Sequence, residues 1–246
     1  MAIPTMVKQL IDSIQRSKVV FNTIIEYDKS EVHNNAEKRQ YRLGWRDFRP
    51  NKIKNDYLSE FKYVRDQQQY AFRLRNPKTD EISFIQFIYH FSDEGELLED
   101  SQLYYYPSLG FKGYTTEELF DLATDEDTCS QLLELDGAFE QKFDIENVSH
   151  LRVDFSKKYH QPIIHPLVHF HFGAINNFRI ALTKFPTPFM FMSLIAKNFF
   201  KEEWEKIYVL PNGAFDKAKY DTEVLRTPDI INDSFENEET FFIHHK

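Results

Sequence analysis

Cysteine occurs once in the 246 residues, at Cys129, which excludes an intramolecular disulfide framework and a thiolate zinc ribbon. Its acidic surroundings disfavour the thiolate, so Cys129 makes a poor nucleophile. Glycine is scarce, at seven residues, and no repeat of fixed period is present, which excludes collagen-like and propeller architectures. GxGxxG, Walker, protein-kinase and GxSxG motifs are all missing, so nucleotide-cofactor and serine-hydrolase chemistries lack support. No apolar run approaches the ~20 residues needed to span a bilayer. The nearest stretch, 185–200, is interrupted by Pro186, Pro188, Lys197 and Asn198. The first residues carry Lys8, Asp12 and Arg16 among their apolar positions, unlike a secretory signal. These absences lead us to expect a cytoplasmic protein of a reducing compartment with no membrane partner.

Aromatic side chains are abundant, with 24 Phe and 13 Tyr, and 41% of residues are hydrophobic against 28% charged. That is enough apolar material for a buried core. The formal charge of −9 is unevenly spread. Residues 38–54 hold seven bases against Asp47, whereas residues 93–146 hold sixteen acids against Lys112 and Lys142. Net acidity argues against indiscriminate coating of nucleic acid, because the overall field repels phosphates. A local basic segment can still engage one strand, and the acidic region reads first as a solvated surface.

Hydrophobic periodicity predicts one amphipathic helix or two short ones over 6–25, with Leu10, Ile14, Phe21 and Ile24 among polar residues. A polar turn-like stretch is expected at 28–35. Between 63 and 106 the pattern changes to strands: alternation at 70–75, a turn at 76–80, a nearly all-apolar strand at 82–91 covered on both faces, and a third strand within 97–106. Thr115 and Glu118 form a capping-box signature for a short helix, and another helix is expected over 127–135. Strands return at 148–155, 163–172 and 178–182. Pro186 and Pro188 then introduce a helix over 189–208. The resulting expectation is one α+β domain over 1–246, a largely antiparallel sheet flanked by N-terminal and C-terminal helices. Within it, 1–60 reads as helical, 61–210 as the sheet-bearing core and 211–246 as a polar tail.

Four of the nine histidines fall within twelve residues: His160, His165, His169 and His171. Strand side chains alternate faces, so His165, Leu167, His169 and His171 line one side while Val168, Phe170 and Phe172 face a core. The preceding strand splits likewise into Leu151, Val153 and Phe155 against His150, Arg152 and Asp154. About seven connecting residues, 156–162, permit a hairpin. A register with Asp154 opposite His165 and His150 opposite His169 would gather all the polar members on one face. Arg179 on the following strand, opposite in parity to Phe178 and Ile180, would join them.

Three readings of this face stand side by side. His165, His169 and His171 could ligate one divalent transition metal, zinc or manganese, with an open position for activating water. Alternatively, two histidines could act as a metal-free acid and base in cleavage through an RNA 2′-hydroxyl, with Arg152 or Arg179 clamping the phosphate and Asp154 orienting a histidine. The third reading is a solvated sheet face of ordinary hydrogen-bonded histidines. His33 and His90 are isolated, His150 depends on the register, and the terminal His244 and His245 belong to a tail.

The segment 38–54 interleaves Trp45, Tyr41 and Phe48 with Arg39, Arg42, Arg46 and Arg49, a mixture suited to RNA or another single strand. Arg73 and Arg75 could extend that basic rim. The spacing of Tyr41, Trp45 and Phe48 equally fits one helical face turned toward the core, and packing is the favoured reading.

The run His160-x-Pro162-x-x-His165-Pro166-x-x-His169-x-His171-x-Gly173, followed by Asn176-Asn177-Phe178-Arg179-Ile180 and a proline-led aromatic helix, resembles a bacterial family of domains of unknown function. The likeness is clearest over 160–200. It implies a bacterial protein whose His-Pro, His-x-His-x-Gly and Asn-x-Arg elements belong together. More loosely, the histidine strand is similar to those of small toxin-like proteins from toxin–antitoxin or phage-defence loci. The leading expectation is a nucleic-acid-directed phosphodiesterase, an RNase foremost, working with a protein partner encoded in the same locus. The alternatives are a non-catalytic nucleic-acid- or protein-binding assembly component and a structural metal site.

Overall fold

The computed structural model describes residues 3–29, 31–35, 40–44, 57–92, 94, 96–97, 101–108, 150–155, 157–161, 165–172, 179–182 and 185–225. Its frame is a nine-stranded antiparallel sheet: β1 Ile25–Asp28, β2 Glu31–Asn35, β3 Gln40–Gly44, β4 Phe72–Arg75, β5 Ile82–Ser92, β6 Gln102–Tyr106, β7 Leu151–Phe155, β8 Val168–Phe172 and β9 Arg179–Ala181. The spatial order is β1-β4-β5-β6-β7-β8-β9. Strand β5 is long enough to take two partners along one edge. β4 pairs with Ile82 through Ile85, and β3, carrying β2 beside it, pairs with Ile88 through Ser92. The architecture is α+β, as expected, with the central meander in place.

Helix α1 (Thr5–Val20) and helices α3 (Pro188–Phe199) and α4 (Lys201–Tyr208) cover one face of the sheet. Val7, Leu10 and Ile14 of α1 recur at helical spacing and are buried with Phe189, Met192 and Ile195 of α3. Thr187 caps α3 by accepting from the Met190 backbone N–H, and Pro188 occupies the first turn, where no N–H is needed. The α3 N-terminus is tied to α1 by the Phe189 backbone N–H, which donates to Ser13 Oγ at 2.9 Å.

The other face carries helix α2 (Tyr57–Asp66). Tyr57, Phe61 and Val64 of α2 form a separate buried cluster with Ile82, Phe84, Ile88, Tyr104 and Tyr106. Even-numbered residues of β5 meet this layer, while Ile85, Phe87, Tyr89 and Phe91 enter the main core. Double coverage explains why alternation is lost along β5. Helix α5 (Lys217–Tyr220) and a π-turn (Asp221–Leu225) close the described part of the chain.

Several expectations are corrected. Within the stretch 28–35, Asp28 ends β1 and Glu31–Asn35 form β2 where a turn is expected, and the segment expected to be helical up to residue 60 contributes β1, β2 and β3 to the sheet. Tyr41 therefore does not lie on a helical face with Trp45 and Phe48. Residues 40–44 pair instead along the free upper edge of β5, so tertiary pairing overrides the local period. The helix expected over 189–208 breaks at Phe200, whose φ of −129° is not helical. The expected helices at 115–123 and 127–135 lie outside the described residues, as do Cys129 and most of the acidic region. No helix among the described residues is long and apolar enough to cross a membrane.

Candidate metal and phosphate site

β7 and β8 pair with Asp154 opposite His169 and Arg152 opposite His171. The expected parity holds, but the register differs by four residues, because β8 begins at Val168 rather than near residue 163. Pro166 offers no N–H to a ladder. Just before it, Gln161 and His165 close a tight bridge through two backbone bonds of 2.9 and 2.7 Å. Leu167, expected beside the histidines, is instead buried in the main core.

The pairing continues across β9 and β6. One row reads Arg179, His171, Arg152, Tyr104; the next reads Ala181, His169, Asp154, Gln102. The histidine face is thus the α2 face of the sheet, beyond the tyrosines. Arg152 Nε lies 3.0 Å from Asp154 Oδ2, and its guanidinium sits 6.0 Å from the centre of the Tyr104 ring.

Asp154, His169 and His171 offer ligand atoms that all lie within 4.8 Å of one another. Both imidazoles turn Nε2 toward one carboxylate oxygen, Asp154 Oδ2, at 3.8 Å from His169 and 3.1 Å from His171. A tetrahedral ion with bonds of about 2.1 Å spaces its ligands about 3.4 Å apart, between those two values. The 3.1 Å contact is close but misaligned for a hydrogen bond. Both ring nitrogens of His171 and Asp154 Oδ1 are buried without a hydrogen-bond partner among the described residues. Buried polar atoms left this way are costly.

His169 is the best prepared of the three. Its Nδ1 lies 2.8 Å from the Pro166 carbonyl oxygen, which can only accept, so Nδ1 carries the proton and Nε2 bears the lone pair. With 1% of its surface exposed, burial lowers its pKa to about 4, while the Asp154 charge opposes that shift. It is neutral at pH 7. For Asp154 burial pushes the pKa upward, but the His171 contact and the Arg152 guanidinium hold it below the usual carboxylate value. It is ionised.

His165 lies before β8, with its ring 4.6 Å from that of His169. Burial and then the Arg179 charge lower its pKa. It borders the converging set, in which Asp154 takes the place that spacing offered to His165. His150 goes elsewhere: its Nδ1 lies 3.0 Å from Glu60 Oε2 of α2, and its ring rests against Tyr104 and Tyr106. His160 contacts the His165 carbonyl oxygen through Nδ1 at 3.2 Å.

The basic rim divides. Arg73 and Arg75 share Glu26 at 2.8 and 2.6 Å, and Arg75 also meets Asp80 at 2.5 Å. They lie on β4, roughly 14 Å from β7 by strand spacing. Arg42 lies on β3 at a register position between His33 and His90. Arg39, Trp45, Arg46 and Arg49 fall outside the described residues. Sequence reasoning missed Glu60 and Gln102, whose roles depend on long-range pairing; only the acid in the first turn of α2 hinted at the former.

A family model described as an uncharacterized conserved protein (DUF2290) matches residues 12–244. No curated protein and no solved structure matches the chain.

Proposed function

The chain belongs to the DUF2290 family, and from its site we infer that it is a divalent-metal-dependent phosphodiesterase directed at nucleic acid, with RNA the foremost substrate. The observation that carries this reading is the convergence of two buried imidazoles and one ionised carboxylate beside two arginines, with both His171 nitrogens and Asp154 Oδ1 buried and without a hydrogen-bond partner among the described residues. Two histidines and a carboxylate suit zinc, manganese or iron. Among the described residues three ligands converge, and a three-ligand site leaves a position for water, whereas structural zinc sites close with four. A bound ion would supply Lewis-acid activation of that water.

The chain's own residues do the rest. Arg179 and Arg152 flank His171 in one row, and they would hold a phosphate and neutralise charge developing on its oxygens. The metal-free acid–base reading is less well supported. His169 is sealed, bonded through Nδ1 and uncharged at neutral pH, and such a group is a better ligand than proton donor.

The test combines metal content with cleavage. Purified protein is expected to hold about one equivalent of zinc, manganese or iron by elemental analysis. It should cleave labelled single-stranded RNA, lose that activity to a chelator and regain it on adding metal back. His169→Ala and Asp154→Ala are expected to lose both the metal and at least about 100-fold in rate. Unchanged metal content and cleavage in both variants would refute the reading.

A further inference from the structure

His150 and Glu60 form a second ionisable pair on the same sheet face, four residues along the chain from Asp154. Glu60 is fixed from two sides: Tyr106 Oη donates to its Oε1 at 3.2 Å, and its Oε2 lies 3.0 Å from His150 Nδ1. It stands in the first turn of α2. The His150 ring is held between Tyr104 and Tyr106 at centroid distances of 5.6 and 5.8 Å. With Nδ1 engaged, Nε2 is the atom left to exchange protons. The His150 side chain keeps 15% of its surface exposed.

Arg152 stands midway between this pair and the histidine–aspartate centre. Strand rise puts the α-carbons of His150 and Asp154 about 13 Å apart, with that of Arg152 about 7 Å from each. A phosphate seated on Arg152 therefore has the metal-ligating triad on one side and His150 on the other. In-line displacement at phosphorus needs that layout, because the entering and leaving oxygens occupy opposite sides.

We propose that His150, positioned by Glu60, is the general acid that protonates the leaving oxygen. The assignment rests on the phosphodiesterase reading above. Water activated at the Asp154–His169–His171 side forms the new O–P bond and releases its proton to solvent. The bond from phosphorus to the leaving oxygen breaks, with its electron pair remaining on that oxygen. The oxygen takes a proton from His150 Nε2, and the imidazole regains one from solvent. His150 touches the reacting atom; Glu60 acts through it as a positioning residue.

The test uses the full chain with saturating manganese or zinc and two dinucleotide substrates. One has the natural leaving oxygen; the other has that oxygen replaced by sulfur, which departs without a proton. His150→Ala is expected to slow the oxygen substrate about 100- to 1000-fold and the sulfur substrate less than about tenfold. Glu60→Gln should show a weaker form of the same pattern, in kcat rather than KM. His150→Gln keeps a polar contact for Glu60 but transfers no proton, so it gives the same readout should the alanine variant fail to fold. Equal losses on both substrates, or no loss, would overturn the acid role while leaving the phosphodiesterase standing. Wild-type protein that binds metal and cleaves neither substrate would remove both.

Discussion

Two pairs of arginines project from the same face of one sheet, at opposite ends of the α2 layer, and the protein treats them differently. At the β4 end, Arg73 and Arg75 are met by Glu26 and Asp80. The irregular register between Ile25 and Tyr27 leaves Glu26 free to reach both guanidinium groups. At the β7–β9 end, Arg152 and Arg179 flank a histidine, and Asp154 is the carboxylate that meets Arg152. That same carboxylate faces His169 and His171. The first end is closed electrostatically by the chain itself. Among the described residues, the second has two arginines beside one carboxylate together with buried, unpartnered atoms of His171 and Asp154, which is the condition expected where a cation and an anionic substrate would complete the set.

The sharpest way to separate the two ends is acid. His169 has a folded pKa of about 4, below the ordinary histidine value of about 6.5. Between these values the unfolded chain binds the extra proton, so stability is full above about pH 6.5 and falls as pH drops toward 4. The contribution amounts to roughly 3 kcal/mol. Asp154, with its lowered pKa, acts in the same direction as pH falls further, through the carboxylate range. Urea denaturation of metal-free protein at pH 7, 5.5 and 4 should show this decline, and His169→Gln should flatten the histidine part of it. A wild-type profile without slope between pH 6.5 and 4 would mean that the site end is no more acid-sensitive than the rest.

Arg179 supplies the next contrast. It has no ion pair with an acid among the described residues, and it stands opposite His171. Arg179→Ala is expected to weaken substrate engagement about 10- to 100-fold, read as kcat/KM on RNA, and to lessen the salt dependence of binding. Thermal stability should change little, since no carboxylate among the described residues loses its partner. A large drop in melting temperature with unchanged kcat/KM would make Arg179 a structural residue and erase the difference between the two ends.

Much of this site was legible in the sequence because parity on a strand is a local property. Alternation alone puts Arg152, Asp154, His169, His171 and Arg179 on one face, and pairing brings them to that face. Register was not legible. It depends on where β8 begins, and the Gln161–His165 bridge before Pro166 displaces that point. The choice of Asp154 as a third ligand, with His165 left beside the set, follows from this four-residue difference. Nor could periodicity reveal that residues 40–44 would complete the upper edge of β5, since Tyr41 and Leu43 fit a strand as well as Tyr41 and Trp45 fit a helix. The partner of His150 lies ninety residues earlier, on α2, and local pattern carries no information about it.

Smallest is the effect expected from Arg73. Its ion pair with Glu26 is strand-borne and partly exposed, at 28% and 34% of the two side chains, so solvent screens it. Pairs of this kind contribute about 0 to 1 kcal/mol. Arg73→Ala should therefore lower stability by less than about 1 kcal/mol, and the loss should shrink in high salt as the Coulomb interaction is screened. Glu26 retains Arg75, so no uncompensated charge is left to enlarge the effect. RNA cleavage should be unaltered, because Arg73 lies roughly 14 Å from β7 behind the α2 layer. Denaturation curves at low and high salt, measured beside kcat/KM, give both quantities. A cleavage defect in Arg73→Ala as large as that in Arg179→Ala would mean that the basic surface is continuous across the face, and charge matching by Glu26 would not distinguish its two ends.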